Sequence, residues 1–215
     1  SITFADAMLG RLLDAFHNST YAENTILILW SDHGMHMGEK ENIEKFTLWE
    51  RSTRVPLIIS APDLTLPGSR CHQPVSLMDI YPTLADLAGF ELPGHLDGRS
   101  LLPQIQNPDT QTSPVITSYQ FTWTDRPIIG HTVRSLRYRY IYYPQINLEE
   151  LYDHEIDPNE WNNLAYKKEN SEIIETHRKV LSDLLPELSW QGGTPDGYVI
   201  DGDGNVRNIS YVPLR

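Results

Sequence analysis

Thr25-Ile-Leu-Ile-Leu-Trp30 runs directly into Ser31-Asp32-His33-Gly34. The first six residues are apolar without alternation and rich in branched side chains. Such a run suits a strand buried on both faces, as in a parallel sheet. In open α/β sheets, ligands gather beyond the carboxyl ends of the strands. Asp32 and His33 occupy that position, and together they offer a carboxylate oxygen and an imidazole nitrogen to one ion. An Asp-His-Gly turn is a short motif, and a strand-ending turn with a packed histidine fits it equally well.

Outward from this point, residues 4–17 place Ala5, Met8, Leu9, Leu12, Leu13 and Phe16 on one helical face. Val55-Pro-Leu-Ile-Ile-Ser60 reads as a second buried strand, and a long charged loop, residues 34–54, separates the two. Residues 79–88 read as a helix with Asp79 as N-cap, Pro82 in the first turn and Gly89 at the C-terminal cap. A stretch rich in Pro, Gly, Asn and Asp at about 91–113 is the expected boundary. The expected units are residues 1–110, an α/β core, and residues 111–215, a smaller antiparallel sheet with a covering helix. In the second unit, Pro114–Tyr119 and Thr132–Tyr143 alternate polar with apolar residues, the pattern of a sheet with one face covered. Residues 170–184 supply the covering helix. Residues 196–213 read as a hairpin around Gly202-Asp-Gly-Asn205. The Asp201–Asn205 run lacks Gly at the sixth and Glu at the twelfth position of a calcium loop, so it is read as a turn.

Composition bounds the function. The 215 residues carry 17 basic and 29 acidic side chains, a net charge of −12. A nucleic-acid binder needs a basic footprint to release phosphate counterions, and an anionic membrane surface would repel such a chain. No apolar run approaches the roughly 20 residues that span a bilayer. The single cysteine, Cys71, excludes an internal disulfide and a multi-cysteine zinc site. The chain opens at Ser1, without Met or a signal-peptide pattern, and enters a helix at once. The expectation is a piece of a longer protein.

The stretch TILILWSDHGMHMGEKENIEKFTLWERSTRVPL, residues 25–57, resembles the sulfatases, in particular the iduronate-2-sulfatase and choline-sulfatase branch. VSLMDIYPTLADLAG (75–89), LDGRSLLP (96–103), VRSLRYRYIYY (133–143) and ELYDHEIDPNEWNNLA (150–165) carry the likeness onward, so that it covers about residues 3–190. The resemblance implies the C-terminal part of an alkaline-phosphatase-like α/β sulfatase core. It implies hydrolysis of a sulfate ester, of a sulfated sugar or another organic sulfate, and a periplasmic or secreted setting. It implies one Ca2+ ion, with Asp32 and His33 as metal ligands, and Lys45 as the lysine that contacts the sulfate. A formylglycine made from Cys or Ser in a C/S-x-P/A-x-R motif is the family's nucleophile. Cys71 fails that motif, since neither Gln73 nor Val75 is the required residue, and no serine here starts one. The expectation is therefore a nucleophile and further acidic residues upstream, in a missing N-terminal part of the same protein, and no sulfatase activity from these 215 residues alone.

His131, which follows Gly130 into a strand, is a further candidate substrate contact. Arg54 and Arg70 are weaker ones. Two rival readings remain: a phosphoesterase of the same superfamily, and a non-catalytic remnant that binds anions or carbohydrate.

Overall fold

A computed structural model describes residues 1–121, 128–188, 198–200, 203–204 and 206–208. Helix α1 spans Ile2–His17, as the periodicity predicts, but none of its residues is buried. Strand β1, Leu27–Trp30, pairs antiparallel with β2, Leu57–Ser60, in register from Leu27↔Ser60 to Trp30↔Leu57. This corrects the expected doubly buried strands of a parallel sheet: Trp30 is 51% and Ile58 54% exposed. An apolar run signals a strand that needs cover. It does not fix the direction of its partner, and here β1 and β2 have each other.

A one-turn helix α2 spans Glu50–Thr53. Helix α3, Ile80–Leu87, forms where expected, yet Asp79 is not its side-chain cap. A 3-10 turn, Leu77–Asp79, precedes the helix, and Ser76 caps that turn in a reciprocal capping box with Asp79. The Asp79 carboxylate accepts from the Ser76 N–H at 2.8 Å and, across the following loop, from the Arg99 N–H at 2.9 Å. Gly89 ends the helix at φ +74°, a conformation that costs glycine nothing. The expected boundary loop contains a short helix α4, Leu102–Gln106.

The second sheet has the order β3-β4-β5-β6, all antiparallel: β3 Val115–Phe121, β4 Ile128–Arg134, β5 Tyr138–Tyr143 and β6 Leu148–Asp153. The run Thr132–Tyr143 is two strands joined at Ser135, whose Oγ accepts from the Tyr138 N–H at 3.2 Å. Helix α5, Ser171–Leu184, covers one face, packing Ile174 and Leu181 on Val133, Tyr140, Tyr142 and Leu151. Arg178 of α5 holds Glu149 of β6 through two bonds, at 2.8 and 2.6 Å.

The opposite face is not solvated, contrary to the one-face expectation. Segment 40–54 lies on it. Leu48 is fully buried against Ile141, Tyr143, Leu148 and Tyr152, with Trp49 beside them. The polar residues that seemed to mark a wet face, Thr132, Arg139 and Glu150, are buried instead. Arg139 and Glu150 bond to this segment, which lies about ninety to a hundred residues away in sequence, and Thr132 Oγ1 accepts from Arg139 at 3.1 Å. A last hairpin pairs β7, Tyr198–Ile200, with β8, Val206–Asn208. Parts of its turn lie outside the described residues. Among the described residues, no helix is long and apolar enough to cross a membrane.

Candidate functional site

The loop after β1 is forced into a tight path. The Gly34 N–H donates to the Ser52 carbonyl at 2.8 Å. A Cβ at Gly34 would sit 2.0 Å from the Arg51 carbonyl oxygen, so glycine is needed there for close approach. This crossing brings the far end of the loop back to its start. Lys45 Nζ comes to lie 2.8 Å from His33 Nε2, and Asp32 Oδ2 lies 3.4 Å from the same nitrogen.

The protonation of His33 follows from its partners. Its Nδ1 is 2.8 Å from the Gly34 carbonyl oxygen, which can only accept, so Nδ1 carries the proton. Nε2 then presents a lone pair, which takes a hydrogen bond from the Lys45 ammonium. A fixed tautomer with a bare outward nitrogen is the usual state of a histidine ready to ligate a metal. Asp32 is largely exposed, and among the described residues no third His, Cys, Asp or Glu side chain joins the pair to make a three-ligand cluster.

Asp32, His33 and Lys45 line one large groove of about 1600 Å³ that runs past β2, the 65–77 loop and the edge strand β3. Arg54 and Arg70 line it too, and so does the exposed thiol of Cys71. His131 does not. It stands on the α5 face of the sheet, opposite Tyr142 in register, while the Lys45 segment covers the other face. Its Nδ1 is 2.8 Å from Ser118 Oγ, and Ser118 does line the groove. Burial lowers the His131 pKa below the usual imidazole value.

A second charged cluster left little trace in the sequence. Glu50, His154 and Glu160 bring ligand atoms within 4.8 Å of one another. Positive charge already fills that space. Arg139, 2% exposed, donates Nε to Glu160 at 2.6 Å and its terminal nitrogens to Glu50 and to the Leu48 carbonyl. Arg134 Nε reaches Glu50 at 3.2 Å, and His154 Nε2 reaches Glu160 at 2.9 Å. Burial pushes the Glu50 carboxyl up, but Arg139 and Arg134 outweigh it and hold its pKa down at about 2. Burial likewise opposes Glu160, whose pKa the His154 bond and Arg139 bring below the ordinary value. This cluster is an internal ion network that fastens the Lys45 segment to β4 and β5. Nearby, Trp49 and Tyr152 both donate to the buried Glu150 carboxylate, at 2.7 and 2.6 Å. Burial raises the Glu150 pKa. Lys40 lies over the Trp49 and Tyr152 rings, and burial lowers its pKa. The one sequence signal for this network was opposite charge set inside aromatic alternation, at Arg139 and Glu150.

Comparison with known proteins places these features in a family. The sequence profile described as N-sulphoglucosamine sulphohydrolase, C-terminal, matches residues 38–187. A sulfatase of Formosa agariphila is 39% identical over 189 residues, covering 87% of this chain and 35% of that protein. A choline-sulfatase of Rhizobium meliloti is 34% identical over 168 residues, covering 77% of this chain and 32% of that protein. A solved structure of a protein in complex with its substrate D-glucosamine-2-N,6-O-disulfate superposes with a TM-score of 0.75 at 27% identity, over 86% of this chain and 39% of that one. The chain thus spans about a third of the length of the curated relatives it matches.

Proposed function

This chain belongs to the sulfatase family and has its alkaline-phosphatase-like α/β fold, and we propose that it forms the metal-binding and sulfate-binding end of a sulfuric ester hydrolase. The observation that carries this reading is the meeting of Lys45 with His33 beside Asp32, twelve residues apart in sequence and 2.8 Å apart in space. The proposed substrate class is a sulfated sugar or a related organic sulfate ester. The neighbour bound to glucosamine disulfate supports that class.

The donor pair fits a divalent cation in part. Asp32 offers a hard, accessible oxygen of the kind calcium prefers, and His33 offers one bare nitrogen, the softer of the two ligands. Calcium takes about six to eight ligands, so most would come from outside this pair. When bound, the ion would supply positive charge to the sulfate oxygens. Lys45 would donate from its ammonium to a sulfate oxygen and neutralise charge that develops as the sulfur–oxygen bond breaks. The Gly34 carbonyl keeps the His33 proton on Nδ1 and so leaves the lone pair on Nε2, where Lys45 now bonds. Ser118, with His131 behind it, would meet the part of the substrate that extends along the groove toward β3. The nucleophile is assigned to a formylglycine upstream of these residues, because Cys71 lacks the surrounding motif.

The test is release of sulfate and of phosphate by the full-length protein from matched aryl esters. Faster sulfate release, with Lys45→Ala lowering kcat/KM by about a hundredfold or more, supports the reading. Faster phosphate release would replace it with a phosphoesterase.

A further inference from the structure

We infer that His36 is a positioning residue that delivers Lys45 to His33, an inference that rests on the role proposed for Lys45. His36 is fully buried and does not line the groove. Its Nδ1 lies 3.1 Å from the Glu39 carbonyl oxygen and its Nε2 2.9 Å from Thr47 Oγ1. The carbonyl can only accept, so Nδ1 carries the proton, and Nε2 is held by its bond to the Thr47 hydroxyl. Thr47 Oγ1 is in turn 2.8 Å from Ser52 Oγ, in the residue whose carbonyl holds the Gly34 N–H.

The backbone completes the grip. The His36 N–H donates to the Glu44 carbonyl at 2.9 Å, and the Thr47 N–H donates to the Lys45 carbonyl at 3.0 Å. His36 therefore holds residue 44 through its main chain and residue 47 through its ring, one on each side of Lys45. The ring also meets Trp49 edge-on, at 5.8 Å between centroids and 74° between planes. Trp49 is tied to Glu150 of β6, so the grip carries through to the sheet. A lysine side chain is long and rotamer-rich. Anchoring the main chain on both sides of Lys45 limits where its ammonium can go, and that ammonium meets His33 rather than solvent.

A residue that merely fills the core would cost stability alike in any background. A residue that acts through Lys45 has nothing to position once Lys45 is gone. The experiment is a double-mutant cycle in the full-length protein, with kcat and KM measured on an aryl sulfate for the wild type, His36→Ala, Lys45→Ala and the double variant. His36→Ala should lower kcat/KM by about 10- to 100-fold, as loss of a residue supporting a ligand shell does. In the Lys45→Ala background the same change should have an effect of less than about twofold. His36→Gln, whose side-chain amide can bond the Thr47 hydroxyl, should recover much of the loss. Equal losses in both backgrounds would overturn the inference while leaving the role of Lys45 intact. Full activity in Lys45→Ala would remove the role of Lys45 itself, and the inference with it. Because His36→Ala also risks the fold, nitrogen-15 NMR of the unaltered full-length protein gives a second arm. It should show a proton on His36 Nδ1, and a bare Nδ1 would overturn the inference.

Discussion

Replacing Arg139 with Met removes the cation at the centre of the buried network while keeping much of its volume. Glu160 then stays buried and Glu50 half-buried, both without their main counter-charge. Breaking a buried ion pair from one side costs about 3–5 kcal/mol. The structure supplies a second route to the magnitude. Against the opposing effect of burial, Arg139, Arg134 and His154 together bring the Glu50 pKa from 4.5 to about 2, and at about 1.4 kcal/mol for each tenfold change in proton affinity the set contributes of the order of 3 kcal/mol, with Arg139 the largest of the three. The sign follows from the direction. A carboxyl whose pKa is depressed by folding contributes stability that is fully present above pH about 4.5 and is lost as pH falls toward about 2. Urea denaturation of the wild type should therefore show stability falling between about pH 5 and pH 2. Arg139→Met should be about 3–5 kcal/mol less stable at pH 7, and the deficit should narrow at pH 3, where protonation relieves the stranded carboxylates. A deficit below about 1 kcal/mol at pH 7, the scale of an exposed pair, would refute the reasoning. So would an acid limb as steep as that of the wild type.

Three further outcomes follow from single contacts. Gly34→Ala puts a Cβ against the Arg51 and Arg54 carbonyls, which cannot swing aside; it should cost about 3 kcal/mol, the upper end of overpacking, and an unchanged urea midpoint would count against the tight crossing. Leu181→Ala empties a fully buried site under the sheet and should cost about 2–5 kcal/mol, read by thermal melting at fixed pH. Asp32→Asn should weaken calcium binding by about tenfold or more in titration calorimetry, because a neutral amide is a poorer ligand than a carboxylate, and equal affinity would remove Asp32 from the ligand set.

The legible parts of the sequence were those governed by local periodicity. Helices α1, α3 and α5 and the tail hairpin sit where their patterns put them, because a helix face or a Gly-rich turn is written in consecutive residues. The Asp32–His33–Lys45 site was reached through resemblance, and the structure brings the three side chains together by a loop closure that no window of sequence encodes. The misread parts depended on partners far away. β1 and β2 carry the composition of buried strands, and composition says nothing about pairing direction. Arg139 and Glu150 alternate with aromatic residues as solvent-facing positions do. Their solvent is replaced by Glu50, Trp49 and Glu160, which burial fraction alone could not reveal. His36 gave no signal at all: a lone histidine in a polar loop has the same appearance whether it is exposed or fully enclosed. The segment 34–54, counted with the first unit by its place before the 91–113 loop, is fastened to the sheet of the second by these contacts.

The most direct test is a crystal structure of the full-length protein with calcium and a sulfated sugar that it does not turn over. The account predicts the ion on Asp32 Oδ and His33 Nε2, with the Lys45 ammonium moved from His33 onto a sulfate oxygen. An ion between Glu50, His154 and Glu160, or a sulfate held away from Lys45, would contradict it.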